Sequence, residues 1–169
     1  MENIVLIGFM CSGKTTIGRI LAKKINYTFI DTDHHISKNE NLTVGEIFDT
    51  KGEEYFRKLE TQTVKEFSKS LKGTILSTGG GLPIREENVP FLKEIGRVIF
   101  LKASKETVIS RLNPKVERPL LLESNPEEKI ENLLNQRNPI YEKVADIEID
   151  TNNKSMESIV EEIIEAISD

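Results

Sequence analysis

The chain has 169 residues, 37% hydrophobic and 30% charged, enough apolar material to bury one core of ordinary domain size. A net charge of −5 leaves no basic surplus of the kind that nucleic-acid binding needs. The single cysteine, Cys11, cannot form an intramolecular disulfide, and MENIVLIGFMC carries neither a charged leader nor an apolar run long enough for a bilayer, so a cytoplasmic protein without membrane partners is expected.

Short apolar runs alternate with longer helical ones. NIVLIG (Asn3–Gly8) predicts a buried strand ended by glycine, and Lys14 to Ile25 carries Ile17, Leu21 and Ile25 at helical spacing. YTFI (Tyr27–Ile30) predicts a second strand. DTDHHISKNENL (Asp31–Leu42) shows no clean period and reads as an irregular connection. Thr43 with Glu46 three residues later is a capping-box pattern, and Glu53 to Leu71 predicts a long amphipathic helix. GTILS (Gly73–Ser77) and RVIFLK (Arg97–Lys102) predict the next two strands. Ser104 opens a helix that stops before Asn113-Pro114, and Asn113–Glu128 is a second irregular stretch. DIEI (Asp146–Ile149) predicts a fifth strand. The last helix begins near Ser155, with Ile159, Ile163, Ile164 and Ile167 as its core face. This alternation implies an α/β fold: βαβ units, a mostly parallel sheet and helices on both faces. In such a fold ligands sit at the carboxyl edge of the strands.

That edge is where the chemistry-bearing residues fall. GFMCSGKTT (Gly8–Thr16) matches G-x-x-x-x-G-K-T between a strand and a helix. The backbone N–H groups of such a loop converge on phosphate oxygens, and the helix N-terminus adds partial positive charge. Gly8, Cys11, Ser12, Gly13, Lys14, Thr15 and Thr16 are therefore the candidate nucleotide-binding residues. Lys14 is expected to bridge the β- and γ-phosphates and Thr15 to offer a hydroxyl to Mg²⁺. Cys11 reads as a small residue at a tolerant position rather than a redox thiol, because no second cysteine stands beside it.

Asp31 and Asp33 follow the second strand. One carboxylate there could hold Mg²⁺ through water and the other could accept a hydroxyl proton, whereas Asp33 alone is also readable as a helix N-cap. Gly79-Gly80-Gly81 follow the third strand and permit close approach of a ligand. Arg57, Arg118 and Arg137 each read alone as surface charge, Arg57 with i,i+3 partners Glu54 or Glu60. Near a phosphate loop they fit two jobs, a mobile cation for phosphoryl transfer and a bidentate clamp for a carboxylate. Adjacent His34 and His35 point apart on a helix and are assigned no role.

GFMCSGKTTIG, FIDTD, GEEYFRKLE, STGGG, RPLL and RNPIY occur in an order and spacing that resemble the shikimate kinase family over essentially the whole chain. The resemblance implies one P-loop kinase domain over 1–169. It implies a three-layer fold with a five-stranded parallel sheet in the order 2-3-1-4-5, an acceptor-binding subregion at about 33–60 and a mobile lid at about 112–126. It implies ATP-dependent phosphorylation of the shikimate 3-hydroxyl on the route to chorismate and aromatic amino acids, with Mg²⁺ as cofactor. By the same resemblance, Asp33 binds shikimate hydroxyls as candidate base, Arg57 and Arg137 clamp its carboxylate, and Gly79, Gly80 and Gly81 line its pocket. Arg118 enters from the lid, Arg111 packs against adenine, and Thr15 with Asp31 organises Mg²⁺. The family commonly has glycine where Cys11 stands, so a positive φ there is expected to strain the loop. Rival readings are a gluconate-type sugar-acid kinase, a nucleotide kinase and an inactive nucleotide-binding module. A monomer is expected, since no apolar stripe is left over.

Overall fold

A computed structural model describes residues 2–112 and 125–169. Strands β1 (Asn3–Ile7), β2 (Thr28–Asp31), β3 (Thr74–Ser77), β4 (Gly96–Lys102) and β5 (Ile147–Asp150) form one sheet in the order β2-β3-β1-β4-β5, with every pair parallel. The helices are α1 (Lys14–Ile25), α2 (Thr32–Glu40), α3 (Val44–Lys51), α4 (Glu53–Ser70), α5 (Val89–Ile95), α6 (Lys105–Arg111), α7 (Pro126–Val144) and α8 (Met156–Ser168) among the described residues. The sheet and its order are those the sequence led us to expect.

The central strand β1 is buried along its whole length, as a parallel strand covered on both faces must be. Its alternate residues feed two cores. Val5 and Ile7 pack with Leu76, Val98, Phe100 and Tyr141 on one face, while Ile4 and Leu6 pack with Ile17, Leu21, Ile159 and Ile163 on the other. Ile159 and Ile163 are fully buried, and Ile164 and Ile167 pack at the rim of the second core. A third, smaller cluster of Ile36, Ile47 and Phe56 joins α2, α3 and α4. Buried Asn3 ties the start of the sheet: its amide donates to Leu71 O (2.8 Å) and Ile95 O (3.0 Å) and its carbonyl accepts from Thr74 N–H.

Several local readings are corrected. Residues 32–40, read as irregular, form α2. The cap of that helix is Asp31, whose carboxylate accepts from His34 N–H at 3.1 Å, and not Asp33, which lies in the first turn. Arg137 lies inside α7, which also contains Pro139. Residues 126–128 of the second irregular stretch open α7 behind an Asn125 cap. Helix α5, for which no element was expected, precedes β4 directly. The Thr43–Glu46 capping box is present at the start of α3. The expected lid at 112–126 falls mostly, and Arg118 wholly, outside the described residues.

No helix among the described residues is long and apolar enough to cross a membrane.

Candidate active site

Between β1 and α1 the chain turns through Gly8–Gly13. Gly13 adopts φ 96° and Cys11 φ 61°, so the strain expected at the cysteine is present in its backbone. Gly13 caps α1 without any side-chain hydrogen bond, leaving first-turn N–H groups available to an anion. Ser12 is fully buried and its hydroxyl has no hydrogen-bond partner among the described residues, and Thr16 is exposed in the first turn of α1. Lys14 folds back over the loop and donates to Gly8 O (2.8 Å) and Phe9 O (3.0 Å). The residue as a whole is half-buried, but its ammonium is enclosed. Desolvation pulls its pKa down to about 8, against the opposing pull of Asp33 and Asp31.

Thr15 Oγ1 lies 3.2 Å from Asp31 Oδ2. A hydroxyl and a carboxylate are hard oxygen donors, and Mg²⁺ bound beside phosphates needs only one or two such protein groups. The described residues contain no group of three or more His, Cys, Asp or Glu side chains able to cage a metal. The donor set thus fits an ion shared with a nucleotide rather than one held by protein alone.

A second cluster of charged residues forms where β3 ends. A methyl group built on Gly79 would lie 2.7 Å from Asp33 Oδ1 and 3.1 Å from Glu60 Oε2. On Gly81 it would lie 2.5 Å from Arg57 Nη1, and on Gly80 3.2 Å from Arg137 Nη1. The glycines are therefore the gap into which an acid from α2, an arginine and a glutamate from α4, and an arginine from α7 all converge. Two hydrogen bonds pin this turn: Gly79 N–H donates to Thr32 Oγ1 (3.0 Å), and buried Tyr141 donates to Gly80 O (2.5 Å). Burial raises the Tyr141 pKa to about 12, so it remains a donor. Arg137 sits 5.8 Å from the Phe9 ring centroid, which joins α7 to the phosphate loop.

Arg57 is half-buried and pairs with Glu60 at 2.7 Å and Glu53 at 3.4 Å; Glu54 pairs with Arg85 instead. Burial raises Asp33 above the ordinary carboxylate range, with Asp31 adding to the shift and Lys14 and Arg57 opposing it. Glu60 is fully buried, and desolvation outweighs Arg57 to lift its pKa to about 7. Its Oε2 has no hydrogen-bond partner among the described residues. Glu60, Thr32 and Tyr141 are the residues that sequence reasoning did not place in the site. Glu60 had a legible signal: it falls on the apolar stripe Phe56, Val64 and Phe67 of α4, where an unneeded charge would be costly.

Arg111 donates to Cys11 O (3.1 Å) and to Thr151 O (3.4 Å), bridging the phosphate loop and the segment after β5. The structure thus gathers Lys14, Thr15, Asp31, Asp33, Arg57, the three glycines, Arg111 and Arg137 along one sheet edge. The His35 ring lies edge-on to Phe67, and the exposed His34 meets this edge only through its backbone N–H, which donates to Asp31.

A shikimate kinase family model matches residues 10–168. The chain belongs to the shikimate kinase family. Shikimate kinases of Caldanaerobacter subterraneus subsp. tengcongensis and Thermodesulfovibrio yellowstonii are each 43% identical to it, over 98% and 97% of this chain and 96% and 94% of theirs. A solved shikimate kinase from Acinetobacter baumannii, in complex with shikimate, matches with a TM-score of 0.93 at 38% identity, covering 99% of this chain and 93% of that one. A gluconokinase from Sinorhizobium meliloti matches with a TM-score of 0.55 at 14% identity and shares the fold alone. The reaction of this family member is phosphoryl transfer from ATP to shikimate.

Proposed function

We propose that the protein holds ATP on the Gly8–Thr16 loop and Arg111, and holds shikimate around Gly79–Gly81 so that its 3-hydroxyl meets the γ-phosphorus in line. The observation that carries this reading is the convergence of Asp33, Arg57 and Arg137 on three adjacent glycines, close enough to Lys14 for Asp33 and Arg137 to act on its charge. Arg57 and Arg137 clamp the shikimate carboxylate with planar donor pairs. Asp33 accepts the 3-hydroxyl proton as the new P–O bond forms and the bond to ADP breaks. Its raised pKa makes it a better acceptor than an ordinary surface carboxylate. Lys14 leaves the Gly8 and Phe9 carbonyls and follows the charge on the β- and γ-phosphates. Thr15 and Asp31 would hold Mg²⁺, which supplies charge neutralisation at the β- and γ-oxygens. Arg118 is assigned to the same charge. The reading includes a cytosolic monomer: Phe48 is the one large exposed hydrophobic side chain among the described residues.

The test is ADP release with shikimate, gluconate or nucleoside monophosphates as acceptor, on wild type and Asp33→Asn. Turnover is expected with shikimate alone. The variant should lose about 10²–10⁴-fold in kcat, the span typical of general acid–base groups, with nucleotide affinity kept within threefold. Near-wild-type kcat in Asp33→Asn would remove Asp33 from the chemistry, and turnover with gluconate instead would overturn the acceptor assignment.

A further inference from the structure

One buried polar group at this edge has no duty in the mechanism above. Ser77, the last residue of β3, is 1% exposed, and its hydroxyl has no hydrogen-bond partner among the described residues. A hydroxyl stranded in a sheet is costly, and such groups usually answer to a ligand or a bound water. The direction in which it points follows from the strand. Side chains alternate along β3. Ile75 packs in the core beneath α1 and Leu76 in the opposite core, so Ser77 returns to the α1 face. Its register partners are Asp31 on β2 and Leu6 on β1, on strands spaced about 4.8 Å apart in any sheet.

Helix α1 fixes what lies above it. A methyl built on Gly18 would meet Phe29 Cε2 at 2.5 Å and Leu6 Cδ1 at 3.3 Å, so this turn of α1 rests on β1 and β2. One turn nearer the N-terminus of α1 is Thr15, whose hydroxyl reaches Asp31. Ser77 therefore lies under the Thr15 turn and beside Asp31, on the same face of the sheet.

We propose that the Ser77 hydroxyl is a third oxygen of the Thr15–Asp31 shelf, a positioning residue that hydrogen-bonds a water held by the metal and so fixes that water and the Asp31 carboxylate. Ser77 does not touch the reacting atoms. The inference rests on the reading of Thr15 and Asp31 as metal-organising groups. It gives chemical meaning to a serine that the sequence presents only as the residue before Thr78 and the triple glycine. Groups hydrogen-bonded to metal ligands typically change metal affinity by about 10–100-fold when removed.

The experiment measures Mn²⁺ binding to the complex of full-length protein with ADP by electron paramagnetic resonance, in wild type, Ser77→Ala, Asp31→Asn and Thr15→Val. Ser77→Ala is expected to weaken Mn²⁺ binding about tenfold while ADP affinity in EDTA stays within twofold. Its ligand-free melting temperature should equal or exceed that of wild type, because an unpartnered buried hydroxyl has been removed. Unchanged Mn²⁺ affinity in Ser77→Ala alongside weakened binding in Asp31→Asn overturns the role of Ser77 and leaves the shelf intact. Unchanged affinity in all three variants overturns both. A lower melting temperature without a change in Mn²⁺ affinity assigns Ser77 to the fold alone and overturns the proposal.

Discussion

Lys14 carries a charge that the phosphate loop by itself holds poorly. Enclosure by the loop lowers its pKa to about 8, because the ammonium has exchanged water for two carbonyl oxygens. Phosphate oxygens beside it would favour the charged form and raise the pKa again. The complex therefore binds a proton that the free protein has partly released once the pH approaches 8, so nucleotide binding takes up a proton there. Affinity for ADP is expected to be flat below about pH 7 and to fall toward tenfold per unit at higher pH, the limit for one linked proton. Calorimetry at pH 8.5 in two buffers of different ionisation enthalpy should report uptake of up to one proton. Absence of uptake would mean that Lys14 stays charged in the free loop. Cys11 is a smaller matter at the same place. Its positive φ costs about 1–2 kcal/mol relative to a relaxed backbone, and glycine would give back part of that gain through its larger unfolded-state entropy.

Glycine has two distinct uses in the elements of this fold, and one pair of substitutions separates them. Gly45 lies in α3 with its nearest obstacle, Thr43 Oγ1, 3.9 Å from a built methyl group. Gly79 follows β3, where the same methyl would press on Asp33 and Glu60. Gly45→Ala should raise stability by about 0.5–1 kcal/mol through helix propensity and leave kinetics alone. Gly79→Ala should lower kcat for shikimate at least about 100-fold by displacing the Asp33 carboxylate from reach of the hydroxyl, with ADP affinity preserved. Urea melts and steady-state kinetics on both variants check this; equal kinetics in the two would show that the gap at Gly79 is unused. The same contrast explains what the sequence could show. The strands and the helices α1, α4 and α8 were legible because their apolar residues repeat with the right period. Helix α2 was not, since Ile36 is its only buried apolar residue and its start is secured by the Asp31 carboxylate rather than by a pattern. The phosphate loop was legible from spacing alone. The meeting of Glu60 with Asp33 was not, because α2, α4 and the β3 turn are far apart in the chain and only the sheet order brings them to one place.

On the proposed reading, the two substrates are divided between two bodies of packing. The phosphate loop is set on β1, which feeds both large cores of the sheet, and on α1, which packs in the second of them. Asp33 and Arg57 stand on α2 and α4, which are joined through the small cluster Ile36, Ile47 and Phe56, with the Arg57 guanidinium 5.5 Å from the Phe56 ring centroid. A cluster of three buried residues can open without the sheet, since local stability follows local apolar burial. Ile47 is its fully buried centre, contributed by α3. Ile47→Ala removes buried methyl groups and leaves a cavity, at a cost of about 2–5 kcal/mol. That loss is of the order of the local stability itself, so hydrogen exchange should show α2 and α3 amides close to unprotected while β1 and β4 amides remain protected. Function should split along the same line: the KM for shikimate rises several-fold or more, because Asp33 and Arg57 lose their fixed separation, while ADP affinity stays within twofold. A uniform loss of protection across α2, α3, β1 and β4, with both affinities weakened together, would show instead that the small cluster is one cooperative unit with the sheet and that acceptor and nucleotide sites are not separately supported.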